Sequence, residues 1–373
     1  MKLMYFLWHI TNSGGMERIV IDKINYLSEK GHDVSLVYFG SDDDVPFFRI
    51  DKKVKRIALP DNADLTSFLF RVKHWIRTIK AVKKIIANED PDIIVNAQTP
   101  IVHWTLPFVR KDIPKIFEFH FSNQGLKIAD KKAFAKNRYK AYKKDFIRKV
   151  FCPLYTKCVV LTEKDKEAWG FKNMVVIPNF TALPIKRRTE MCCKRVISAG
   201  RLCYQKDQQI LIEAWAIVNR QCGAWQLDIW GNGAEREALE HKIEKLGLEG
   251  KVNLKGVSQN IEDKYPNYSL FVLPSRYEGF PLVLVEAMQF GLPCIGFDIP
   301  GNDAIIENGR NGYLVKERTP EALAETIIST IINSDKMKRM SEYAITSVQR
   351  FDKDRVMGMW IELFNDVLCS EAV

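Results

Sequence analysis

The chain has 373 residues, of which 46% are hydrophobic and 27% charged, so it is an ordinary globular protein too large for one hydrophobic core, and we expect two domains. Its eight cysteines form neither a CxxC pair nor a regular disulfide framework, which suits a reducing cytosol. No stretch approaches the roughly 20 apolar residues that a membrane span needs. We therefore expect a protein that is soluble or held at a membrane surface.

The net charge of +10 is distributed unevenly along the chain. Residues 1–185 carry 32 Lys and Arg against 20 Asp and Glu, whereas the remainder is close to neutral. A basic half joined to a neutral half indicates that the first half meets something anionic.

Short apolar runs alternate with longer segments of helical period, which is typical of parallel sheets covered by helices. The first run, Leu3 to Ile10, resembles part of a signal peptide, but no small-residue cleavage site follows and we interpret it as a strand. The predicted strands of the first half lie near 2–8, 33–39, 54–58, 92–96, 114–119, 157–161 and 174–178. Helices near residue 16 and at 66–88 carry apolar stripes that indicate core packing.

The loop between the first strand and the first helix, residues 11–17, contains the pair Gly14-Gly15. Adjacent glycines let the backbone approach a ligand closely, and the free amides of a helix start favour an anion such as a diphosphate. The alternative is a tight strand-to-helix turn that binds nothing.

Residues 127–150 hold ten Lys and Arg against Asp130 and Asp145, interleaved with apolar residues at helical spacing. A basic amphipathic helix with aromatic residues predicts contact with an anionic membrane or a lipid-diphosphate acceptor. A helix packed in the core with a solvated basic face fits the same spacing. Because no motif that reads nucleic acid accompanies the charge, we predict no nucleic-acid partner.

A segment without periodicity, Ala182 to Lys194, contains Pro184 and three adjacent basic residues and is predicted to be a linker. Further strands are predicted near 195–199, 225–230, 251–255, 269–273, 292–297 and 312–315. Further helices are predicted near 206–221, 235–247, 260–266, 281–290 and 319–333. Because doubly wound domains bind ligands outside the carboxyl ends of their strands, we expect a site in a cleft built from loops of both halves.

Two cations follow the first strand of the second half, where Gly200 ends the strand and Arg201 and Lys206 lie in the loop. A guanidinium fork suits phosphate oxygens, and an ammonium adds a point charge. Their position at the carboxyl edge of a sheet favours phosphate binding over the alternative of two solvated surface cations.

The segment Trp230-Gly-Asn-Gly233 resembles the start of a dinucleotide fingerprint. However, Arg236 occupies the third glycine position, and no acidic residue ends the strand at 252–255. We therefore reject nicotinamide binding and predict a tight turn.

The segment from Glu278 to Glu286 holds two carboxylates separated by seven residues. Pro281 suits a first helical turn, so Glu278 is predicted in a loop and Glu286 inside a helix. If both were helical they would lie about 12 Å apart along the axis, too far for a carboxylate pair that flanks one glycosidic bond. The amides near residues 280–283 are expected to hold a phosphate between them.

Each of these carboxylates has a structural alternative. Glu286 lies in a run of apolar residues, so we expect its helix to be mostly buried and the carboxylate to need donors, which ribose hydroxyls would supply. The alternative for Glu286 is a carboxylate on the helix surface. The alternative for Glu278 is a carboxylate favoured by the helix dipole.

These motifs and a late Asn-Gly-Arg-Asn-Gly312-Tyr-Leu-Val run together resemble the family 4 glycosyltransferases over nearly the whole chain. The resemblance implies an α/β GT-B fold of two facing Rossmann-like domains, no metal or other cofactor, and retention of the donor's anomeric configuration. We expect an N-terminal acceptor domain at 1–183, a nucleotide-sugar domain at 184–350 and a helix at 351–373 that packs back on the N-terminal domain.

The resemblance also implies roles for individual residues. Glu286 holds the ribose of the nucleotide, while Arg201 and Lys206 neutralise the diphosphate. Glu278 lies beside the transferred sugar and His120 near the reaction centre, which makes these two the catalytic candidates. Phe121 follows His120 where the family often has Asp. The other donor-binding candidates are Gly14, Gly15, Gly279, Phe280, Pro281, Leu282 and Val283.

We predict a retaining transferase that moves a hexose or N-acetylhexosamine from a UDP-sugar to a glycan, such as a polyprenyl-linked or cell-surface polysaccharide intermediate. A nucleotide-sugar epimerase of the same fold and a non-catalytic protein that binds sugar nucleotides or glycans are the alternatives. The Asp42-Asp43-Asp44 run lies in a polar loop and is predicted to be solvated rather than a metal site. We place the protein in the cytoplasm, with a peripheral position on the inner face of the membrane as a further option.

Overall fold

The computed structural model describes residues 1–12, 14–60, 68–97, 99–133, 148–181, 183–185, 187–258 and 260–369. The chain divides into two compact units. The first consists of Met1–His120, Ala129–Pro178 and Val356–Val373, and the second of Phe121–Ile128 and Asn179–Arg355. A division by sequence at 183/184 therefore misses the segment Phe121–Ile128, which groups with the second unit.

The first unit is built on a seven-stranded parallel sheet in the order β3-β2-β1-β4-β5-β6-β7. Its strands are β1 (Lys2–Leu7), β2 (Asp33–Phe39), β3 (Lys55–Leu59), β4 (Ile93–Asn96), β5 (Lys115–Glu118), β6 (Lys157–Val160) and β7 (Met174–Val176). The central strands are apolar on both faces because helices cover the sheet. The order in which the strands are added to the sheet reverses between β1 and β4. Such a switch point opens a crevice between the loops that follow those two strands.

Helices of the first unit follow its strands. They include α1 (Gly15–Glu29), α2 (Phe68–Glu89), α3 (Pro100–His103) and α5 (Glu163–Trp169), while α4 (Asn123–Ala133) begins in the second unit. On α1 the apolar side chains of Val20, Ile24 and Leu27 are completely buried, as their helical spacing predicts. Within the basic segment 127–150, residues 134–147 lie outside the described residues.

The second unit contains a six-stranded parallel sheet in the order β10-β9-β8-β11-β12-β13. Its strands are β8 (Arg195–Ala199), β9 (Gln226–Trp230), β10 (Val252–Gly256), β11 (Leu270–Leu273), β12 (Cys294–Phe297) and β13 (Gly312–Val315). The strand order reverses between β8 and β11, which are hydrogen-bonded neighbours. The loops that follow these two strands therefore begin side by side, although they are far apart in sequence.

The helices of the second unit are α6 (Gln208–Gln221), α7 (Arg236–Lys245), α8 (Leu282–Gln289), α9 (Pro320–Ile331) and α10 (Ser334–Ser347), followed by α11 (Lys353–Cys369), which continues into the first unit. The core lies between α6, α9 and the sheet, with Trp215 of α6 completely buried. The prediction of an α-helix near 260–266 is wrong. Two short 3₁₀ turns, Ile261–Asp263 and Tyr265–Asn267, occupy the segment, because Pro266 has no amide to continue an α-helix.

The predicted linker is partly tied to the second unit. The amide of Thr189 donates to the carbonyl of Phe290 at 2.9 Å, and its hydroxyl donates to the carbonyl of Tyr268 at 2.5 Å. None of the helices within the described ranges is long and apolar enough to cross a membrane.

Candidate functional site

The loops after β8 and β11 bring two of the predicted residues into direct contact. Lys206 Nζ donates to Glu278 Oε1 at 2.6 Å, and the two side chains are only 15% and 8% exposed. The pair lies at the carboxyl end of the sheet, beside the point where the strand order reverses. An ammonium and a carboxylate are thus placed where an open α/β sheet binds its ligand.

The helix α8 begins directly after Glu278-Gly279-Phe280-Pro281, as predicted, with Pro281 immediately before the first helical residue. Leu282 and Val283, at the free-amide end of α8, are partly exposed. Phe280 is different, because its ring is buried and packs edge-on against Phe351 at a centroid distance of 5.1 Å. Phe280 therefore supports the loop through the core, and the amides of the first turn remain the candidates for phosphate contact.

Glu286 lies inside α8 and is only 3% exposed. Its Oε2 accepts a hydrogen bond from the hydroxyl of Tyr265 at 3.1 Å. The carboxylate is therefore a buried group, which excludes the alternative of a helix-surface residue. A buried carboxylate needs donors, and Tyr265 supplies one of them from the protein itself.

Arg201 is exposed in the same loop as Lys206. Its proximity to the site is evident at Tyr277: burial raises the pKa of Tyr277, Cys203 and Glu278 raise it further, and the positive charge of Arg201 opposes them. Arg201 and Glu278 therefore both act on one tyrosine ring. The second unit thus collects Arg201, Lys206, Glu278 and α8 around one sheet edge.

A buried aspartate clamps the two loops together, and sequence reasoning missed it. Asp207 directly follows Lys206. Its Oδ2 accepts a hydrogen bond from Arg318 Nη2 at 2.6 Å and forms an ion pair with Arg276 Nη2 at 2.8 Å. Arg318 also donates to the carbonyls of Pro274 and Ser275, at the end of β11. The clamp holds Lys206 against the Glu278 loop. The only signal in the sequence was an acidic residue beside the loop lysine, which is common on surfaces.

Two glycines allow close backbone contacts around these loops. A Cβ atom on Gly231, whose φ is +137°, would lie 1.9 Å from the carbonyl oxygen of Gly200. A Cβ atom on Gly301, whose φ is +96°, would lie 2.9 Å from the carbonyl oxygen of Gly279. The predicted tight turn at Gly231 is therefore also a packing surface for the Gly200-Arg201 loop. Gly301, in the loop after β12, was not predicted, and the adjacent Pro300 was its only turn signal.

We expect Gly231→Ala to lower the free energy of unfolding by about 3 kcal/mol, because the new methyl overlaps a backbone oxygen and the backbone is strained. Gly247→Ala is the matched control, since Gly247 also has a positive φ of +62° but has no atom within 4 Å of an added Cβ. Strain alone predicts a loss of about 1 kcal/mol for that control. Urea denaturation followed by Trp fluorescence measures both, and equal losses would show that the contact with Gly200 is unimportant.

In the first unit, Gly14 precedes α1 and Gly15 is its first residue. The carboxylate of Glu17 folds back over this turn: Asn12 Nδ2 donates to Glu17 Oε1 at 3.2 Å, and Glu17 Oε2 would lie 2.2 Å from a Cβ on Gly14. A carboxylate thus already lies near the free amides of the helix start. Gly14 has a structural role here, as in the alternative of a tight turn.

His120 follows β5 by two residues and is largely buried. Its Nε2 lies 2.9 Å from Glu118 Oε2, while Glu118 Oε1 accepts a hydrogen bond from Lys23 Nζ. Burial by itself raises the pKa of Glu118, but Lys23 and His120 outweigh burial and hold that pKa at about 2. His120 therefore belongs to a buried charged cluster with Glu118 and Lys23, which sequence reasoning did not predict.

Comparison with known families agrees with this arrangement of two units. Residues 13–183 match the sequence model of Glycosyltransferase Family 4, and residues 187–347 match that of Glycosyl transferases group 1. The chain belongs to the family 4 glycosyltransferases. The two matches together cover every strand after β1 and the loops that carry Gly14, Lys206 and Glu278.

Relatives of this glycosyltransferase match it over nearly its whole length. An uncharacterized glycosyltransferase of Haemophilus influenzae is 27% identical over 366 residues, which cover 96% of this chain and 98% of that protein. The amylovoran biosynthesis glycosyltransferase AmsD of Erwinia amylovora is 28% identical over 386 residues, covering 98% of this chain and 99% of AmsD.

The structural comparison establishes the fold of this glycosyltransferase. A TarM variant of S. aureus, in complex with fondaparinux, α-GlcNAc-glycerol and UDP, has a TM-score of 0.77 at 16% identity, covering 98% of this chain and 99% of TarM. The predicted GT-B fold is thus confirmed, with Rossmann-like parallel sheets of seven and six strands.

Proposed function

We propose that this glycosyltransferase transfers a hexose or N-acetylhexosamine from a UDP-sugar to a glycan acceptor with retention of anomeric configuration. The observation that carries the proposal is the Lys206–Glu278 pair beside the free-amide end of α8, with Glu286 buried within that helix. A cation, a helix start and two separated carboxylates suit the diphosphate, ribose and sugar of one extended ligand. UDP in the complex of the structurally similar TarM supports this choice of nucleotide.

The donor's diphosphate is proposed to lie between Lys206, Arg201 and the first amides of α8. The ammonium of Lys206 then contacts both Glu278 and the phosphate oxygens, and the exposed guanidinium of Arg201 is the second cation. Glu286 accepts from the ribose hydroxyls, and Glu278 lies beside the transferred sugar. Each proposed contact pairs an anionic ligand group with a cation or amide, or a hydroxyl with a carboxylate.

Charge that develops on the leaving diphosphate as the anomeric carbon becomes oxocarbenium-like is proposed to be stabilised by Arg201, Lys206 and the amides of Leu282 and Val283. Such fixed donors act most strongly where water is excluded, and they supply electrostatically what a metal ion supplies elsewhere. A phosphate oxygen of the donor then takes the acceptor's proton on the face that the diphosphate leaves. We propose that transfer needs no metal, which activity in excess chelator tests.

The acceptor is proposed to be a lipid-linked or cell-surface polysaccharide intermediate. The excess of positive charge in residues 1–185 suits an anionic acceptor or an anionic membrane surface. The role of AmsD in amylovoran biosynthesis supports a polysaccharide product. We place the reaction in the cytoplasm, at the inner face of the membrane when the acceptor is lipid-linked.

The proposed function is tested with a panel of UDP-, GDP- and ADP-sugars incubated with purified protein, with and without lipid-linked acceptors. We expect release of UDP that depends on acceptor, and a product whose anomeric proton coupling matches that of the donor. Conversion of the donor to its epimer without acceptor would instead identify an epimerase. Release of no nucleotide from any donor, with or without acceptor, would favour a protein that only binds glycans or sugar nucleotides.

A further inference from the structure

Asp207 has a backbone conformation that local preferences do not explain. It directly precedes α6, and its φ of +45° lies in the left-handed region that favours glycine. An aspartate at this position ordinarily accepts a hydrogen bond from an amide of the first helical turn. The carboxylate of Asp207 makes no such bond, because it faces the arginines of the clamp instead. Contacts from outside the helix therefore hold Asp207 in this conformation.

Arg318 supplies those contacts from the segment after β13. Its Nη2 donates to Asp207 Oδ2 at 2.6 Å and to the carbonyl of Pro274 at 2.8 Å. Its Nη1 donates to the carbonyl of Ser275 at 2.9 Å, and the guanidinium lies 4.3 Å from the centroid of the Phe297 ring. A planar guanidinium fork can make these contacts at once, so Arg318 joins the loop after β8 to the end of β11.

Lys206 lies between two residues that are both held to the loop after β11. On one side, the carbonyl of Gln205 accepts a hydrogen bond from the amide of Arg276 at 2.8 Å. On the other side, Asp207 is held by the clamp. The backbone of Lys206 is thus fixed at both neighbours, and its ammonium lies 2.6 Å from Glu278 Oε1. All of these residues belong to the second unit.

We propose that Arg318 is a positioning residue for sugar transfer, which acts through Asp207 to hold the ammonium of Lys206 where the donor's diphosphate binds. This inference rests on the proposed function, in which Lys206 stabilises the charge that develops on the diphosphate. The guanidinium of Arg318 is occupied by Asp207 and two carbonyls, so it serves the donor through Lys206. A lysine side chain has many rotamers, and an ammonium that is not held in place stabilises developing charge less well.

The first test compares Arg318→Met with Arg350→Met. Arg350 makes the same kinds of contact elsewhere in the second unit, since it donates to Glu307 at 2.7 Å and to two backbone carbonyls and lies 4.8 Å from the centroid of the Phe351 ring. We expect both variants to have a lower melting temperature, but only Arg318→Met to lower kcat, about tenfold, with little change in KM for the donor. Equal kcat values in the two folded variants would overturn the proposal.

Arg318→Met leaves the charge of Asp207 buried with one partner fewer, which destabilises the fold. The double variant Asp207→Gly/Arg318→Met removes both charges, and glycine tolerates both the positive φ and the position before a helix. We expect this double variant to fold, with a melting temperature no lower than that of Arg318→Met, and to keep the loss of kcat. Wild-type kcat in the double variant would show that the ion pair serves only folding, against the proposal.

A double-mutant cycle separates positioning of Lys206 from a general structural role. If Arg318 acts through Lys206, then adding Arg318→Met to Lys206→Ala lowers kcat less than about twofold further. A further loss of about tenfold would mean that Arg318 acts independently of Lys206, and the proposal would be wrong. Wild-type activity of Arg318→Met together with an inactive Lys206→Ala would reject this inference while leaving the proposed donor site intact.

Nucleotide binding provides a readout without turnover. UDP carries the second phosphate that Lys206 is proposed to contact, whereas UMP lacks it. Calorimetric titrations give the Kd of each nucleotide, and we expect Arg318→Met to reduce the preference for UDP over UMP about tenfold and Arg350→Met to leave it unchanged. The same preference in both variants as in the wild type would contradict the proposal.

A crystal structure of Arg318→Met keeps the inference testable even if the wild type uses no sugar nucleotide, which would reject the proposed function. We expect Lys206 Nζ to lie beyond hydrogen-bonding distance of Glu278 in this variant. An unchanged contact between Lys206 and Glu278 would show that Arg318 does not position the lysine, whatever the protein's activity.

Discussion

Replacing Lys206 with alanine is expected to lower kcat for sugar transfer by about 10²–10³-fold, because the variant loses a fixed cation that stabilises the charge developing on the diphosphate. The direct contact between Lys206 Nζ and Glu278 Oε1 at 2.6 Å places this ammonium where donor phosphate and sugar are proposed to meet. Initial rates of UDP release at saturating donor measure the effect, and the melting temperature shows whether the second unit stays folded.

Lys242→Ala is the matched control for this experiment. Lys242, on α7, also forms an ion pair with a glutamate of another helix, Glu213 of α6, and is likewise only partly exposed. Loss of a surface ion pair changes stability by at most about 1 kcal/mol and leaves transfer unaffected. If Lys206→Ala and Lys242→Ala were equally active, the assignment of Lys206 to the donor site would be wrong.

Glu286→Ala is expected to raise KM for the UDP-sugar about 30-fold, equivalent to about 2 kcal/mol, because the ribose hydroxyls lose a charged acceptor. Glu286→Gln is expected to fall between this variant and the wild type, since the amide oxygen still accepts from Tyr265 and from one ribose hydroxyl. Donor titrations at saturating acceptor give both values of KM.

The comparison of these two variants separates ribose binding from folding. Glu240→Ala on α7 serves as the control, because Glu240 is a helix carboxylate paired with Arg236 at 2.9 Å and exposed to solvent. We expect wild-type KM for that control. A wild-type KM in a folded Glu286→Ala protein would mean that the carboxylate serves only Tyr265 and the core of the second unit.

The donor loops were recognisable from sequence because each motif is local. A strand that is followed by a glycine and two cations within seven residues predicts that Gly200, Arg201 and Lys206 lie at the edge of a sheet. Pro281 likewise predicts the start of α8 and separates the loop carboxylate Glu278 from the helical Glu286. Such signals depend on the side-chain periodicity of helices and strands and on the special φ angles of glycine and proline. Both effects act over only a few residues.

Partners across long stretches of sequence were not predictable in this way. Asp207 is buried and forms ion pairs with Arg276 and Arg318, yet in the sequence it is only an acidic residue beside a lysine. Lys23 lies 95 residues from Glu118, on a helix whose apolar stripe indicated only core packing. The short segment Phe121–Ile128 also groups with the second unit, which no local signal indicates.

The sequence by itself determined the alternation of strands and helices, the positions of the loops at strand ends, and the resemblance to a glycosyltransferase family. Only the tertiary structure decided that Lys206 pairs with Glu278, 72 residues away, and that Glu118 joins Lys23 to His120. The physical reason is that side-chain periodicity acts within one strand or helix, whereas the order of strands in a parallel sheet decides which of their ends are neighbours.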